Sequence, residues 1–166
     1  TEKAVQTPLG EAKVNVPADD IVIATIFRAG LPFHTGFLNV FDHAGNAFVS
    51  AFRKYTDKEQ TQVGIHIEYL ATPNLDGKTL IIADPMLATG GSMELGYEAL
   101  VSKGKPKHVH VACVLATPEG VDYIKTHLPD AETTIWCAAI DPGMNEHKYI
   151  VPGFGDAGDL CFGEKL

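Results

Sequence analysis

Several features that mark specialised environments are missing from this sequence of 166 residues. Its three cysteines form no CxxC pair, so neither a disulfide framework nor a thiolate metal site is indicated. No apolar run approaches the roughly 18 residues that a membrane-spanning helix needs. Positive charge is scarce, and with a formal net charge of −8 the surface should repel nucleic acid and anionic lipid.

These absences lead to the expectation of a cytoplasmic protein with no membrane or nucleic-acid partner. We expect Cys113, Cys137 and Cys161 to be buried, reduced thiols. Hydrophobic residues make up 45% of the chain and charged residues 20%, which is ordinary for a globular protein. The length fits one domain, residues 1–166. Because the net charge is negative, a bound phosphate must be held locally, by backbone amides and a few cations.

Apolar, β-branched runs alternate with helical patterns along the chain. The predicted strands are Ile21–Ile26, Ala47–Phe52, Gly64–Leu70, Thr79–Ala83, Val109–Leu115 and Thr133–Ala139. The predicted helices are Leu31–Phe41, Ser92–Lys103 and Pro118–His127. This order predicts an α/β fold with a mainly parallel sheet and helices on both faces. Ligands bind such sheets at the carboxyl ends of the strands, so chemistry is expected just after each apolar run.

The strongest chemical signal is Asp84–Ser92, which reads DPMLATGGS directly after a buried strand. Two glycines let backbone amides surround an anion, Thr89 and Ser92 add hydroxyl donors, and the following helix adds its positive dipole end. Asp84 only accepts hydrogen bonds when ionised, which suits ribose hydroxyls. The segment therefore predicts a sugar-phosphate site. The alternative without a ligand site is an ordinary strand, loop and helix with Ser92 as the N-cap.

An arginine follows each of two other predicted strands. Arg28 opens the sequence RAGL, and Arg53 opens a polar stretch that continues to Gln62. A guanidinium at a strand end can hold a diphosphate with two parallel hydrogen bonds, although a solvated or salt-bridged arginine is the commoner case.

The C-terminal segment Tyr149–Asp159 reads YIVPGFGDAGD. Glycine and proline are too dense here for a helix or a regular strand, yet the segment is too apolar for a disordered tail. We therefore expect a structured loop whose backbone groups can recognise a pyrimidine edge, with carboxylates from Asp156 and Asp159. From the residues alone, a C-terminal coil with acidic side chains facing water is an equal alternative.

These segments resemble those of the uracil phosphoribosyltransferases, a branch of the type I phosphoribosyltransferases. DPMLATGGS at Asp84–Ser92 matches that branch's motif for phosphoribosyl pyrophosphate, and Pro85 stands where most of the superfamily has a second acid. RAGL at Arg28 and YIVPGFGDAGD at Tyr149–Asp159 are similar to further segments of the family. Family members also begin with an additional helical segment, so we expect that Thr1 is not the natural start and that an N-terminal segment is missing.

The resemblance implies transfer of the phosphoribosyl group of 5-phospho-α-D-ribose 1-diphosphate to uracil, giving UMP and diphosphate. The catalytic residues that it implies are Arg53, Asp84 and Asp156. Because the resemblance gives Arg53 a diphosphate-binding role, we hypothesise that the segment Arg53–Gln62 closes over the diphosphate and excludes water from the activated sugar. The implied site for phosphoribosyl pyrophosphate consists of Arg28, Arg53, Asp84, Pro85, Met86, Leu87, Ala88, Thr89, Gly90, Gly91, Ser92 and Asp156. The implied uracil site consists of Ile150, Gly155, Asp156 and Ala157, which act mainly through their backbone groups.

The resemblance also implies a cofactor and an assembly. With Asp84 as the single acid of the motif, we expect Mg²⁺ to be held mainly by the substrate rather than by protein ligands. Members of the family form homodimers or larger homo-oligomers. A phosphoribosyltransferase for orotate or a purine is the rival enzyme, and Pro85 and the YIVPG sequence argue against it. The rival outside the enzymes is a catalytically weak, nucleotide-sensing regulatory domain of the same fold.

Overall fold

The computed structural model describes residues 1–16, 20–55, 63–129 and 132–164, and at 51–55 and 63–65 it describes the backbone alone. The strands are β1 (Glu2–Thr7), β2 (Gly10–Asn15), β3 (Ile21–Ile26), β4 (Gly45–Tyr55), β5 (Val63–Ala71), β6 (Thr79–Ala83), β7 (Met86–Leu87), β8 (His108–Ala116), β9 (Thr133–Ile140), β10 (Gly143–Met144) and β11 (Ile150–Val151). The helices are α1 (Gly30–Leu38), α2 (Gly91–Val101), α3 (Pro118–His127) and α4 (Ala157–Phe162).

The central sheet has the strand order β5-β4-β3-β6-β8, with β9 and the short β7 both paired to β8. Strand β3 pairs in parallel with β4 and β6, and β8 pairs in parallel with β6 and β9. Strand β5 is antiparallel to β4. Strands β1 and β2 form a separate antiparallel hairpin. The predicted mainly parallel sheet is therefore confirmed.

Helices cover both faces of this sheet. Neighbouring residues of β6 point to opposite faces because side chains alternate along a strand. Leu80 and Ile82 join a core with Met93 of α2 and Ile124 of α3. Ile81 lies on the other face, in a smaller cluster that packs against aromatic residues of α1. The apolar run of β6 is thus buried on both sides, as a strand between two helical layers should be.

The predicted helices exist, with bounds that differ at two of them. Helix α3 has the predicted bounds, and Thr117 caps it by accepting the N–H of Gly120 at 2.9 Å. Helix α1 ends at Leu38 rather than Phe41, and after it Val40 donates to the Phe37 carbonyl, three residues back, in the tighter pattern common at helix ends. In the described ranges, none of the helices is both long and apolar enough to cross a membrane.

The prediction that the C-terminal segment contains neither helix nor regular strand is wrong. Strands β10 and β11 form a short antiparallel pair, and α4 begins at Ala157, after residues 152–156. Asp156 makes this helix possible, because its side chain accepts the N–H of Asp159 at 2.9 Å and caps the first turn. The segment does pack on the core, since Ile150 and Ala157 are each only 4% exposed.

The three cysteines are free thiols, but they are not all buried. Cys113 is buried in the core, Cys137 is half-buried, and Cys161 is exposed. The expectation of burial was wrong for Cys161 because α4 lies at the surface and buries only its first two residues.

Candidate active site

A cavity of about 230 Å³ lies at the carboxyl ends of β3 and β6. Three segments far apart in sequence form its wall: the residues after β3, the stretch from Asp84 into α2, and the start of α4. The lining residues are Phe27, Arg28, Ala29, Asp84, Met86, Leu87, Ala88, Thr89, Gly90, Ser92, Met93, Asp156 and Gly158. The position agrees with the expectation that ligands bind at strand ends.

The parallel pairing of β3 and β6 brings Arg28 and Asp84 to the same edge. Thr25 is the partner of Ala83 in this pairing, so both strands end level with each other. Gly30 at the start of α1 permits the close approach, since a Cβ there would lie 2.6 Å from the Ala83 carbonyl oxygen. The arginine turn can therefore pack directly against the end of β6.

Asp84 places a carboxyl group with a shifted pKa on the cavity wall. Its Oδ1 accepts the backbone N–H of Met86 at 3.2 Å. Burial raises the pKa of Asp84 from 3.8 to about 6, and the hydrogen bond from Met86 opposes that rise. The group thus changes charge close to neutral pH, where a donor from a ligand can favour its ionised form.

The start of α2 is open to an anion. Gly90 is the N-cap, with φ of 86°, and it has no side chain with which to cap the helix. Thr89 Oγ1 accepts the N–H of Gly91 only at the long distance of 3.5 Å. The alternative in which Ser92 is the N-cap is wrong, because Ser92 lies inside the first turn. The uncapped amides and the helix dipole together favour a phosphate here.

Helix α3 supports the loop Ala88–Gly90, which leads into α2, from behind. The hydroxyl of Thr117 donates to the Ala88 carbonyl at 2.7 Å, and the Thr117 N–H donates to the Leu87 carbonyl at 3.0 Å. Thr117 is fully buried. These two bonds fix the backbone of the loop just before Thr89, so its amides keep a defined direction.

Arg28 lies on the cavity wall but is already paired. Its Nη2 lies 2.7 Å from Oδ1 of Asp159, and its Nη1 donates to the Gly163 carbonyl at 3.3 Å. Both side chains of the ion pair are about one third exposed, at 34% and 33%. The salt-bridged arginine, which was the alternative at this strand end, is what the structure contains, and the diphosphate role stays a prediction.

Of the predicted uracil residues, Asp156 alone appears among those that line this cavity. Ile150 and Ala157 are buried, and Gly155 is exposed with φ of 80°. Ala157 lines a neighbouring apolar cavity of about 290 Å³, together with Pro85 and Phe154. Residues of both predicted segments, Asp84–Ser92 and Tyr149–Asp159, thus line the second cavity.

Comparison with known proteins agrees with these features. The sequence model of the family described as uracil phosphoribosyltransferase matches residues 1–164. The chain belongs to the uracil phosphoribosyltransferase family. A uracil phosphoribosyltransferase of Porphyromonas gingivalis is 62% identical over 164 residues, which cover 99% of this chain and 74% of the relative. One from Thermococcus kodakarensis is 41% identical over 170 residues, covering 100% of this chain and 71% of the relative.

Solved structures place the fold of this family member among the type I phosphoribosyltransferases. A protein of Aquifex aeolicus is 34% identical, with a TM-score of 0.83, and the match covers 98% of this chain and 75% of the Aquifex aeolicus chain. A purine phosphoribosyltransferase of Pyrococcus horikoshii is 18% identical, with a TM-score of 0.52, and covers 72% of this chain and 76% of its own. The second likeness concerns the fold alone.

Two predicted features of the family site lie wholly or partly outside the described residues. The backbone of Arg53 is part of β4, but its side chain is not described. Residues 56–62, most of the segment expected to close over the diphosphate, also lie outside the description. The roles of Arg53 and of the segment therefore stay predictions. Among the described residues, no group of three or more His, Cys, Asp or Glu could hold a metal ion.

Reasoning from the sequence missed several residues of the cavity. Phe27, Ala29, Met93 and Gly158 line it, although none carries a polar side chain that would mark a site. Phe27 belongs to a stack, with its ring centroid 5.7 Å from that of Phe48. Such residues shape a wall without chemistry of their own, so only the folded arrangement reveals them.

The raised pKa of Asp84 predicts a pH-dependent stability of the unliganded protein. The folded-state pKa of about 6 lies above the ordinary 3.8, so protonated Asp84 stabilises the fold below about pH 4, and this contribution is lost as the pH rises through 6. Asp84→Asn cannot ionise. Its stability relative to wild type should therefore rise with pH, by at most about 3 kcal/mol between pH 4 and pH 7.

Urea unfolding of both proteins at several pH values measures this difference. The other carboxyl groups are common to both proteins, so their titration cancels in the difference. A stability difference that stays constant from acid to neutral pH would show that Asp84 ionises normally in the folded chain.

Proposed function

We propose that this protein transfers the phosphoribosyl group of phosphoribosyl pyrophosphate to uracil and releases UMP and diphosphate. One observation carries the proposal: a single cavity is lined by the DPMLATGGS segment and by Asp156 of the pyrimidine segment. Membership of the family indicates which reaction to expect, and the cavity is a place where a sugar phosphate and a base could bind side by side.

The sugar phosphate binds along the wall between β6 and α2. Asp84 accepts hydrogen bonds from the ribose hydroxyls, and binding favours its ionised form. The amides and hydroxyls of the segment from Ala88 to Ser92 hold the 5′-phosphate at the uncapped start of α2. The bonds of Thr117 to the backbone of this loop keep those amides in place before the substrate arrives.

The base binds beside it, against the segment that precedes α4. Backbone groups of Ile150, Gly155 and Ala157 recognise the alternating acceptors and donor of the uracil edge. Gly155 has φ of 80°, a conformation that exposes its backbone without a Cβ in the way. Asp156 lies between base and sugar and accepts the proton of uracil N1 as the bond to C1′ forms.

Departure of the diphosphate is helped by cations. Transfer from a ribosyl centre passes through an oxocarbenium-like state, as in glycoside cleavage, so stabilising the leaving group matters more than a strong nucleophile. Arg28 on the cavity wall and Arg53 at the end of β4 neutralise the charge that develops on the diphosphate.

The cavity fits Mg²⁺ as an ion brought by the substrate. Asp84 and Asp156 both place carboxylates on its wall, and oxygen donors are what Mg²⁺ prefers. Two carboxylates leave most of the coordination to diphosphate oxygens and water. When bound, the ion supplies positive charge that neutralises the diphosphate.

We further propose that residues 1–166 form one domain of a cytoplasmic homodimer or larger homo-oligomer. The β1–β2 hairpin supports association, because it pairs with no strand of the central sheet among the described residues. Val5, Leu9 and Val14 of this hairpin are 44%, 101% and 38% exposed. A two-stranded hairpin is marginally stable alone, and packing against another copy would bury these residues.

Turnover tests the proposed function. Purified protein supplied with uracil, phosphoribosyl pyrophosphate and Mg²⁺ should form UMP, detected by chromatography of labelled uracil. A protein that binds UMP but forms none from the substrates would be the regulatory domain instead.

A further inference from the structure

The guanidinium of Arg28 is held by α4 and its C-cap residue. Nη2 of Arg28 donates to the carboxylate of Asp159 in this helix, and Nη1 donates to the carbonyl of the C-cap residue Gly163. The Nε atom is buried and has no hydrogen-bond partner. A diphosphate grips a guanidinium through two neighbouring nitrogens, which are Nη2 with either Nη1 or Nε. Each terminal nitrogen keeps a second N–H, but both already have a partner in the C-terminal segment, and the buried Nε is not exposed to a ligand.

Helix α4 also belongs to the pyrimidine side of the cavity. Its N-cap, Asp156, lines the cavity and bonds the N–H of Asp159 at 2.9 Å. The Gly163 N–H in turn donates to the Asp159 carbonyl at 2.9 Å. Asp159 therefore sits between the residue expected at the base and the arginine expected at the diphosphate. The two expected subsites are connected through this one short helix.

We propose that Asp159 is a positioning residue that holds Arg28 until the diphosphate of the substrate displaces it. The inference rests on the proposed function, since it names the change of partner that we expect at Arg28 when the diphosphate of the substrate binds. The carboxylate neutralises the arginine in a site that also contains Asp84 and Asp156. The incoming diphosphate replaces one anionic partner by another, so no charge on Arg28 is left unpaired.

Displacement is feasible because the pair is weak. Both side chains are about one third exposed, and water screens such a pair strongly. A diphosphate with its two or more charges and two parallel hydrogen bonds is the stronger partner. Its binding then frees α4 from Arg28, so arrival of the sugar diphosphate loosens the helix beside the base site.

Asp159→Asn tests the exchange. The amide keeps the shape and can still accept a hydrogen bond, but it no longer neutralises Arg28. The Kd for inorganic diphosphate with Mg²⁺, measured by calorimetry at low salt, should fall about threefold to fivefold. The KM for phosphoribosyl pyrophosphate should fall by a similar factor, while the KM for uracil stays within about twofold.

Two variants serve as controls. Glu164→Gln also removes one negative charge from the C-terminal segment. It leaves the ion pair of Arg28 intact, because the partner of Arg28 in the described chain is Asp159. Its Kd for diphosphate should match that of wild type. Asp159→Glu restores the charge and should return the Kd towards the wild-type value. A purely structural role of Asp159 would raise the KM of both substrates in Asp159→Asn.

Hydrogen exchange of the wild-type protein tests the release without any substitution. Diphosphate should speed exchange of the Gly163 amide, whose partner is the Asp159 carbonyl. The inference is overturned by an unchanged or raised Kd in Asp159→Asn, by an equal fall in Glu164→Gln, or by slower exchange with diphosphate. Turnover by the wild-type protein separates this inference from the proposed function. If wild type forms UMP but Asp159→Asn has the wild-type Kd for diphosphate, this inference is wrong and the proposed function stands.

Discussion

Asp156→Asn should lower the rate of UMP formation by about 10²- to 10⁴-fold, the range for loss of a general base. Asparagine cannot accept the N1 proton of uracil, so the step that forms the glycosidic bond loses its acceptor. The fold should remain, because asparagine caps a helix as well as aspartate does and can replace the bond to the Asp159 N–H. Steady-state kinetics with substrate saturation gives the change in kcat.

Asp156→Ala separates the chemical role from the structural one. It removes both the carboxylate and the cap of α4, so it should lose about 1 kcal/mol of stability in addition to activity. Urea unfolding of both variants measures the difference. Full turnover in Asp156→Asn would remove Asp156 from the mechanism, whatever the stability of the alanine variant.

Gly90→Ala should destabilise the fold by about 2–4 kcal/mol and weaken binding of phosphoribosyl pyrophosphate. Gly90 has φ of 86°, and a Cβ there would lie 2.6 Å from Cδ1 and 3.0 Å from Cβ of Tyr123. Tyr123 cannot easily yield, because its hydroxyl donates to Glu94 at 2.7 Å and its ring stacks on His127 at 3.8 Å. The loop Ala88–Gly90 must move instead.

Gly91→Ala is the matched control for this effect. Gly91 is the first residue of α2, and a Cβ there meets only Thr89 Oγ1, at the ordinary distance of 3.8 Å. Its free energy of unfolding should stay within about 1 kcal/mol of wild type, because alanine is accepted in a helix. Thermal unfolding and calorimetric titration with the substrate compare the two variants. Equal stability losses at both positions would contradict the account of Gly90.

The sheet and its three longer helices could be predicted because apolar periodicity is a local signal. Helix α4 could not be found in the same way, since glycine and proline suggested an irregular segment. A different signal was present: Asp156 is followed three residues later by Asp159, the spacing of an N-cap and an acidic first turn. The N-cap at Asp156 favours a helix and the glycine content disfavours one, and the structure contains the helix.

The candidate site divides in a similar way. The sugar-phosphate segment could be predicted because its strand, acid, glycines and hydroxyls are consecutive, and Asp84, Thr89 and Ser92 do line one cavity. The ion pair between Arg28 and Asp159 could not, because the two residues are separated by 131 positions and meet only in the folded chain. The neutralisation of Arg28 therefore depends on the tertiary structure and cannot be predicted from local sequence.

The choice of base tests the central claim most directly. Diphosphate release is measured for the purified protein with phosphoribosyl pyrophosphate and Mg²⁺, in parallel reactions with uracil, orotate, hypoxanthine or no base. Release should be rapid with uracil and remain near the no-base rate with the other two, because backbone groups of Ile150–Ala157 fit a pyrimidine edge and this segment contains no Lys or Arg for the orotate carboxylate. Equal or faster release with orotate or hypoxanthine, or none with uracil, would contradict the account.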